Sequence, residues 1–202
     1  MHKFVIILFL IFLPFSLYSQ LLPGEQKLSD EEDTEGRYYG EFGFQGARML
    51  NQWGGEIGLS IAFRIQGELY LSINYYGLLT RNVNVSDTVI GAGRPFLRLS
   101  HFGIEPAYFI RPLSWAEFSF SLLGALAHTS YSSNINFDIH DDPEGDWLFI
   151  FQPSTRINIR INESIWTGIK FGYRISNEIE SGLLTGKNLN GEVAGLYFKF
   201  VF

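Results

Sequence analysis

The sequence predicts an all-β protein, an eight-stranded antiparallel up-and-down transmembrane β-barrel preceded by a signal peptide. Three observations support this prediction. From Arg37 to the last residue, apolar and polar side chains alternate with the period of two that is typical of strands. Short and long connections alternate between these segments. After residue 19, no apolar run approaches the roughly 20 residues that a membrane-crossing helix needs.

The first 36 residues are predicted to lie outside the barrel. Residues 1–19 combine a basic start at His2 and Lys3 with a short apolar run, which is the pattern of a secretory signal peptide. Residues 20–36 are polar, acidic and aperiodic, and such a composition buries too little apolar surface to fold. We therefore predict a signal peptide at 1–19, a disordered periplasmic segment at 20–36 and the barrel at 37–202.

Eight segments carry the strand pattern. The clearest is 56–65, where large apolar residues alternate with Glu56, Gly58, Ser60, Ala62 and Arg64. The same separation recurs at 68–76, 154–162 and 165–174, and less regularly at 38–47, 96–110, 115–128 and 193–202. Within 96–110 the apolar residues change face near His101, which predicts a β-bulge there.

The connections between these segments predict how the barrel is oriented. Short connections are expected at 66–67, 111–114 and 162–164, and long ones at 48–54, 77–95, 129–146 and 176–192. Seven connections join eight strands and place both ends of the barrel on the side of the short turns. In transmembrane barrels the short turns face the periplasm and the long loops face outward.

The composition of the polar face predicts which side faces lipid. The interior of an eight-stranded barrel is just wide enough to be filled by side chains. The polar face carries small residues and charges of both signs, so we expect it to point inward; the alternative is a soluble barrel with this face in water. Because isolated buried charges are costly, the enclosed charges should pair. We predict a lumen charge network of Glu41, Glu56, Arg64, Glu68, Glu105, Glu117, Arg156, Arg160, Lys170 and Arg174, with Arg98 as a further candidate.

Aromatic residues cluster near the predicted strand ends. An aromatic girdle at the two membrane interfaces explains this distribution, and stacking on a sugar ligand is the alternative. The residues concerned are Trp53, Trp115, Trp147, Trp166, Tyr38, Tyr39, Tyr75, Tyr76, Tyr108 and Tyr173.

The last twelve residues, GEVAGLYFKFVF, place Leu196, Phe198, Phe200 and Phe202 on one face. This segment resembles the C-terminal insertion signal of bacterial outer-membrane barrels. With the signal peptide and the loop asymmetry, residues 38–202 resemble the small bacterial outer-membrane β-barrel proteins of the eight-stranded type. The resemblance implies export through the periplasm, insertion by the barrel assembly machinery, and contact with outer-membrane lipid and lipopolysaccharide. It implies no particular activity, and we expect a monomer.

Two groups of residues are candidates for chemistry near the long-loop end. His128 and Ser130 resemble the catalytic pair of the outer-membrane lipid A deacylases, with Asp138 or Asp142 orienting the imidazole. The chain departs from that family at Tyr131, where the family has Asn, and in using Asp instead of Glu. Asp138, Asp141, Asp142 and Asp146 carry oxygen ligands suited to a divalent cation, although they lack the EF-hand spacing and a solvated acidic loop explains them equally well.

Composition excludes some partners and leaves three functions open. The chain has no cysteine, a net charge of -6, and Lys and Arg residues that are scattered, so neither a cysteine metal site nor nucleic-acid binding is expected. No cofactor is predicted. The favoured function is a structural or binding scaffold with a charge-plugged lumen, whose external loops contact lipopolysaccharide or partners. A narrow channel for small solutes and a lipid A-modifying hydrolase are the alternatives.

Overall fold

A computed structural model describes residues 38–80, 83–84, 95–132, 145–180, 185–186 and 188–202. The predicted signal peptide, the acidic segment at 20–36, and Asp138, Asp141 and Asp142 lie outside these residues. Within the described ranges, no helix is long and apolar enough to cross a membrane.

Eight antiparallel strands follow one another around a closed barrel, and the last strand pairs with the first. This confirms the fold class that the sequence predicts. The strands are β1 (Tyr38–Met49), β2 (Gln52–Gln66), β3 (Leu69–Leu78), β4 (Phe96–Leu113), β5 (Ala116–Ser132), β6 (Asp146–Arg160), β7 (Ile165–Ser176) and β8 (Gly191–Val201).

The apolar side chains of the alternating pattern point outward. On β2, Ile61 is 70% exposed while the next residue, Ala62, is completely buried inside the barrel. The outer face continues around the barrel with further exposed large residues such as Leu59, Phe102 and Phe149. Exposing a continuous apolar surface of this kind to water costs a free energy of roughly 25 cal/mol for each Å². It matches the lipid-facing band of a transmembrane barrel.

The predicted long connection at 48–54 is wrong. β1 and β2 are joined by a tight turn at Leu50 and Asn51, whose φ angles are 51° and 63°. Two-residue hairpins favour positive φ at both central positions because that geometry matches the twist of the strands. Gly54, which looked like a loop residue, lies within β2: a Cβ there would be only 2.7 Å from Met49 Cε. The glycine allows close packing inside the barrel, and the turn lies at the same end as the three long connections.

The predicted β-bulge near His101 is also wrong. Side chains alternate without interruption along β4, with Leu97, Leu99 and His101 all buried inside. The register with β5 shifts only later, between Ile110 and Leu113. The apparent change of face arises because the interior itself becomes apolar toward the long-loop end.

Candidate functional site

The barrel interior is the most distinctive site among the described residues. Eight charged side chains are buried there: Glu41, Glu56, Glu105, Glu117, Arg156, Lys170, Arg174 and Lys199. Four are carboxylates and four are cations, so the formal charges of this set cancel. We call these residues, with the polar side chains that contact them, the ionic layer.

Arg156 on β6 is the centre of the ionic layer. Its two terminal nitrogens lie 2.7 Å from Glu41 Oε2 and 2.6 Å from Glu105 Oε1. Lys170 Nζ lies 3.4 Å from the same oxygen of Glu105. Ser60 donates a hydrogen bond to Glu41, and Ser121 donates one to Glu105. One guanidinium therefore joins carboxylates from β1 and β4 across the lumen.

A second group lies around Glu56 of β2. Arg174 of β7 binds it through two parallel hydrogen bonds of 2.7 and 2.8 Å, the bidentate geometry that guanidinium and carboxylate groups favour. Gln45 donates to the same carboxylate at 2.6 Å. His101 Nε2 lies 3.7 Å from Glu56 Oε2. Gln152 accepts from Arg174, so each charge in this group has a polar partner.

A third group lies around Glu117 of β5. Lys199 Nζ is 2.6 Å from Glu117 Oε1, and Asn158 donates to the same oxygen. Arg111 Nε lies 3.2 Å from the other oxygen of Glu117, while its NH1 is 3.4 Å from Glu68. Arg111 therefore links the ionic layer to the partly exposed Glu68.

Apolar side chains fill the lumen on both sides of the ionic layer. Tyr39, Tyr70 and Phe109 form an aromatic cluster at the short-turn end, with ring centroids 5.0 to 6.0 Å apart. Lys199 Nζ sits 4.3 Å from the Phe109 ring, a cation–π contact. At the long-loop end lies an apolar layer of Ala47, Met49, Tyr76, Val83, Leu97, Leu99, Leu123, Ala125, Ala127, Leu148, Ile150, Ile179, Leu189 and Val193.

Large side chains of neighbouring strands pack into the space between these groups. A cavity beside Glu41, Tyr76 and Lys170 has a volume of about 20 Å³. That is room for about one water molecule. Gly58 faces the Tyr76 ring so closely that a Cβ there would lie 2.2 Å from it. The small residues of the polar face therefore make room for large side chains from neighbouring strands.

The structure brings most, but not all, of the predicted network residues together. Arg64 donates to the Gly67 carbonyl at the short-turn end, away from the ionic layer. Arg160 also lies at that end, where it donates to the Asn162 carbonyl and stacks over Trp166. Arg98 points outward, because the inward positions around it are Leu97 and Leu99.

Several members of the ionic layer were not among the predicted residues. They are Lys199, Arg111, Gln45, Gln152 and His101. The alternation of 196–202 could have revealed Lys199, which lies opposite the exposed Phe198 and Phe200 in the pattern.

The aromatic girdle is partly wrong as predicted. Trp166, Tyr39 and Tyr76 are buried in the lumen, since their positions in the alternation are inward. The other predicted members lie exposed on the outer face: Trp53, Trp115, Trp147, Tyr38, Tyr75, Tyr108 and Tyr173.

His128 and Ser130 both lie on the outer-face side of β5, and no hydrogen bond joins them. The His128 ring packs against Trp147, with centroids 5.2 Å apart, and against Gly145, where an added Cβ would lie 2.2 Å from Nε2. The candidate acids Asp138 and Asp142 lie outside the described residues.

Asp146 binds backbone groups through both carboxylate oxygens. It accepts hydrogen bonds from the backbone N–H groups of Trp147 and Glu180. In the part of the chain that the structure describes, no three His, Cys, Asp or Glu residues form a possible metal site. Asp138, Asp141 and Asp142 lie outside that part.

The residues of the predicted insertion signal lie on the outer face of β8 and at Phe202, which directly follows it. Leu196, Phe198, Phe200 and Phe202 are all exposed. β8 pairs with β1 on one side and β7 on the other, so these side chains form part of the apolar band. Their recognition by an insertion machinery stays a prediction.

An apolar outer band around an ionic interior defines an eight-stranded transmembrane β-barrel. No protein-family model and no curated protein matches the sequence. Among solved structures, Neisserial surface protein A is similar with a TM-score of 0.64 and 12% identity, over 83% of this chain and 99% of that one. The N-terminal β-barrel domain of OprF from Pseudomonas aeruginosa is similar with a TM-score of 0.52 and 15% identity, over 83% and 99%. Ail, the attachment invasion locus protein of Yersinia pestis, has a TM-score of 0.51 and 7% identity, over 83% and 98%.

These similarities show a shared fold. The chain is an eight-stranded β-barrel of the bacterial outer-membrane type. This confirms the resemblance drawn from the sequence.

Proposed function

We propose that this protein is an outer-membrane scaffold with a closed lumen, whose long-loop end contacts lipopolysaccharide or a partner protein. The observation that supports it most strongly is the ionic layer. Arg156, Arg174 and Lys199 reach across the lumen to carboxylates on other strands, and each is buried.

A closed lumen is favoured over a solute channel on physical grounds. Conduction needs a continuous wet path, whereas the interior cavity beside Glu41 has a volume of about 20 Å³. The apolar layer and the aromatic cluster add water-excluding groups above and below it. Opening a path would require separating the ion pairs that Arg156, Arg174 and Lys199 make across the lumen.

Reconstitution tests this proposal directly. The purified protein is inserted into liposomes, insertion is verified by co-flotation and protease protection, and the same preparation is fused with a planar bilayer. We expect an inserted protein that produces no conductance steps. Inserted protein with reproducible steps would overturn the closed lumen, and protein that stays soluble without detergent would overturn the membrane location.

A further inference from the structure

A second site lies on the outside of the barrel, at the long-loop end of β3, β4 and β5. It is a depression of about 320 Å³, in the size range of small-molecule sites. Its polar lining residues are Thr80, Arg98, Ser100, His128 and Ser130, and Gly77 lies beside them. We call it the outer-face pocket.

Small residues create the outer-face pocket. Gly77 of β3 pairs with Ser100 of β4, and Ser100 pairs with His128 of β5, so a polar row with two small residues crosses three strands. A Cβ on Gly77 would have no atom closer than the Tyr75 hydroxyl, at 3.9 Å. Larger side chains, including Tyr75, Phe96 and His128, line the walls.

Arg98 gives the outer-face pocket a positive charge. It pairs in register with Ser130, and its neighbours on β4, Leu97 and Leu99, occupy the inward positions. Within the described part of the chain, no ion pair involves Arg98. A guanidinium on the outer face of a transmembrane barrel, next to its apolar band, is favourable where it meets an anion.

Directly beyond the polar row lies an apolar one. Tyr75, Phe102, Leu126 and Phe149 pair successively from β3 to β6, and all four are more than half exposed. The outer face therefore changes over one pair of residues from an apolar surface suited to acyl chains to a cationic, hydroxyl-bearing one. Phosphorylated lipids have the same order of groups, from acyl chain to sugar and phosphate.

We propose that the outer-face pocket binds the phosphate-bearing headgroup of lipid A, the phosphorylated glycolipid of the outer leaflet. Arg98 pairs with the phosphate, because guanidinium and phosphate groups form bidentate hydrogen bonds. Ser100 and Ser130 supply hydroxyls for the sugar, and the acyl chains lie along Tyr75, Phe102 and Leu126. The inference rests on the proposed membrane location and deepens it by naming the lipid and the residues that hold it.

Native mass spectrometry of the full barrel, released from detergent micelles, tests the pocket. The probes are diphosphoryl lipid A and the same lipid after removal of its phosphates. Arg98→Ala should weaken binding of the phosphorylated lipid about tenfold, with little change for the dephosphorylated one. Gly77→Ile should weaken binding of both probes, because it fills the pocket and leaves the charge unchanged.

Arg48→Ala is the matched control. Arg48 is an outward-facing cation at the same end of the barrel, on β1, where it lies 3.5 Å from Glu192 and is separated from the nearest pocket strand, β3, by β2. The Arg48→Ala variant should bind both lipid A probes as the wild type does. Equal losses in Arg98→Ala and Arg48→Ala, or no loss in Arg98→Ala, would overturn the site. If the lipid site is overturned with protein that inserts into liposomes and gives no conductance steps, the scaffold proposal still stands.

Discussion

Replacing Arg156 with Met removes a guanidinium that lies between two buried carboxylates. Arg156 contacts Glu41 at 2.7 Å and Glu105 at 2.6 Å, and it is 2% exposed. Met retains much of the side-chain volume, so the change isolates the charge. The protein is expected to lose stability because carboxylates stay in the lumen without their partner.

The size of this effect follows from what remains around each carboxylate. Glu105 keeps Lys170 at 3.4 Å and the Ser121 hydroxyl at 2.5 Å. Glu41 keeps only the 3.1 Å hydrogen bond from Ser60 among these partners. One carboxylate therefore loses its compensating charge, and we expect a loss of about 3 kcal/mol, the lower part of the range for broken buried pairs.

Urea unfolding in lipid vesicles, followed by tryptophan fluorescence, measures this loss. The double variant Glu41→Gln/Arg156→Met removes both charges and leaves Glu105 with Lys170, so it should unfold within about 1.5 kcal/mol of the wild type. Arg48→Met removes a half-exposed pair and should change stability by at most about 1 kcal/mol. A loss below about 1 kcal/mol in Arg156→Met, or an equal loss in the double variant, would refute the reasoning.

Three further predictions concern packing, the lipid face and a turn, each measured as urea midpoint in the same vesicles. Gly58→Ala should destabilise the barrel by about 1–3 kcal/mol, because the new Cβ would overlap the Tyr76 ring. Gly77→Ala should not, because its new Cβ would lie 3.9 Å from the nearest atom, at ordinary contact distance. Ile61→Lys should cost about 2–4 kcal/mol if this exposed side chain faces the centre of the bilayer, and no loss would argue against a lipid-facing position. Asn51→Gly should stabilise by about 0.5 kcal/mol because it relieves a positive φ of 63° at an exposed turn position; a lower midpoint would contradict this.

Alternation along the chain was sufficient to predict the fold and the direction of most side chains. Residues 58–63 show why: every second side chain is large and apolar, and the structure exposes those and buries the others. The same regularity identified Glu41, Glu56, Glu105 and Arg156 as inward-facing.

The wrong predictions concern features that depend on which residues of different strands are neighbours in the folded barrel. Leu97 and Leu99 looked outward-facing because they are apolar, yet they line the lumen where its filling changes from ionic to apolar. Gly54 was predicted to lie in a loop because glycine is typical of loops. Glycine is also required where a strand packs closely, as Gly54 does against Met49. The outer-face pocket could not be predicted, since it is formed by small residues on three strands that meet only when the sheet is assembled.

The ionic layer has a consequence for how the barrel must assemble. Its closest pairs join residues far apart in the chain: 115 positions separate Glu41 from Arg156, 118 separate Glu56 from Arg174, and 82 separate Glu117 from Lys199. An open, half-inserted sheet would present these unpaired charges to hydrocarbon, which is costly. Intermediates in which β1 and β8 are not yet paired are therefore high in free energy. Pairing of the first and last strands becomes the step that makes insertion favourable.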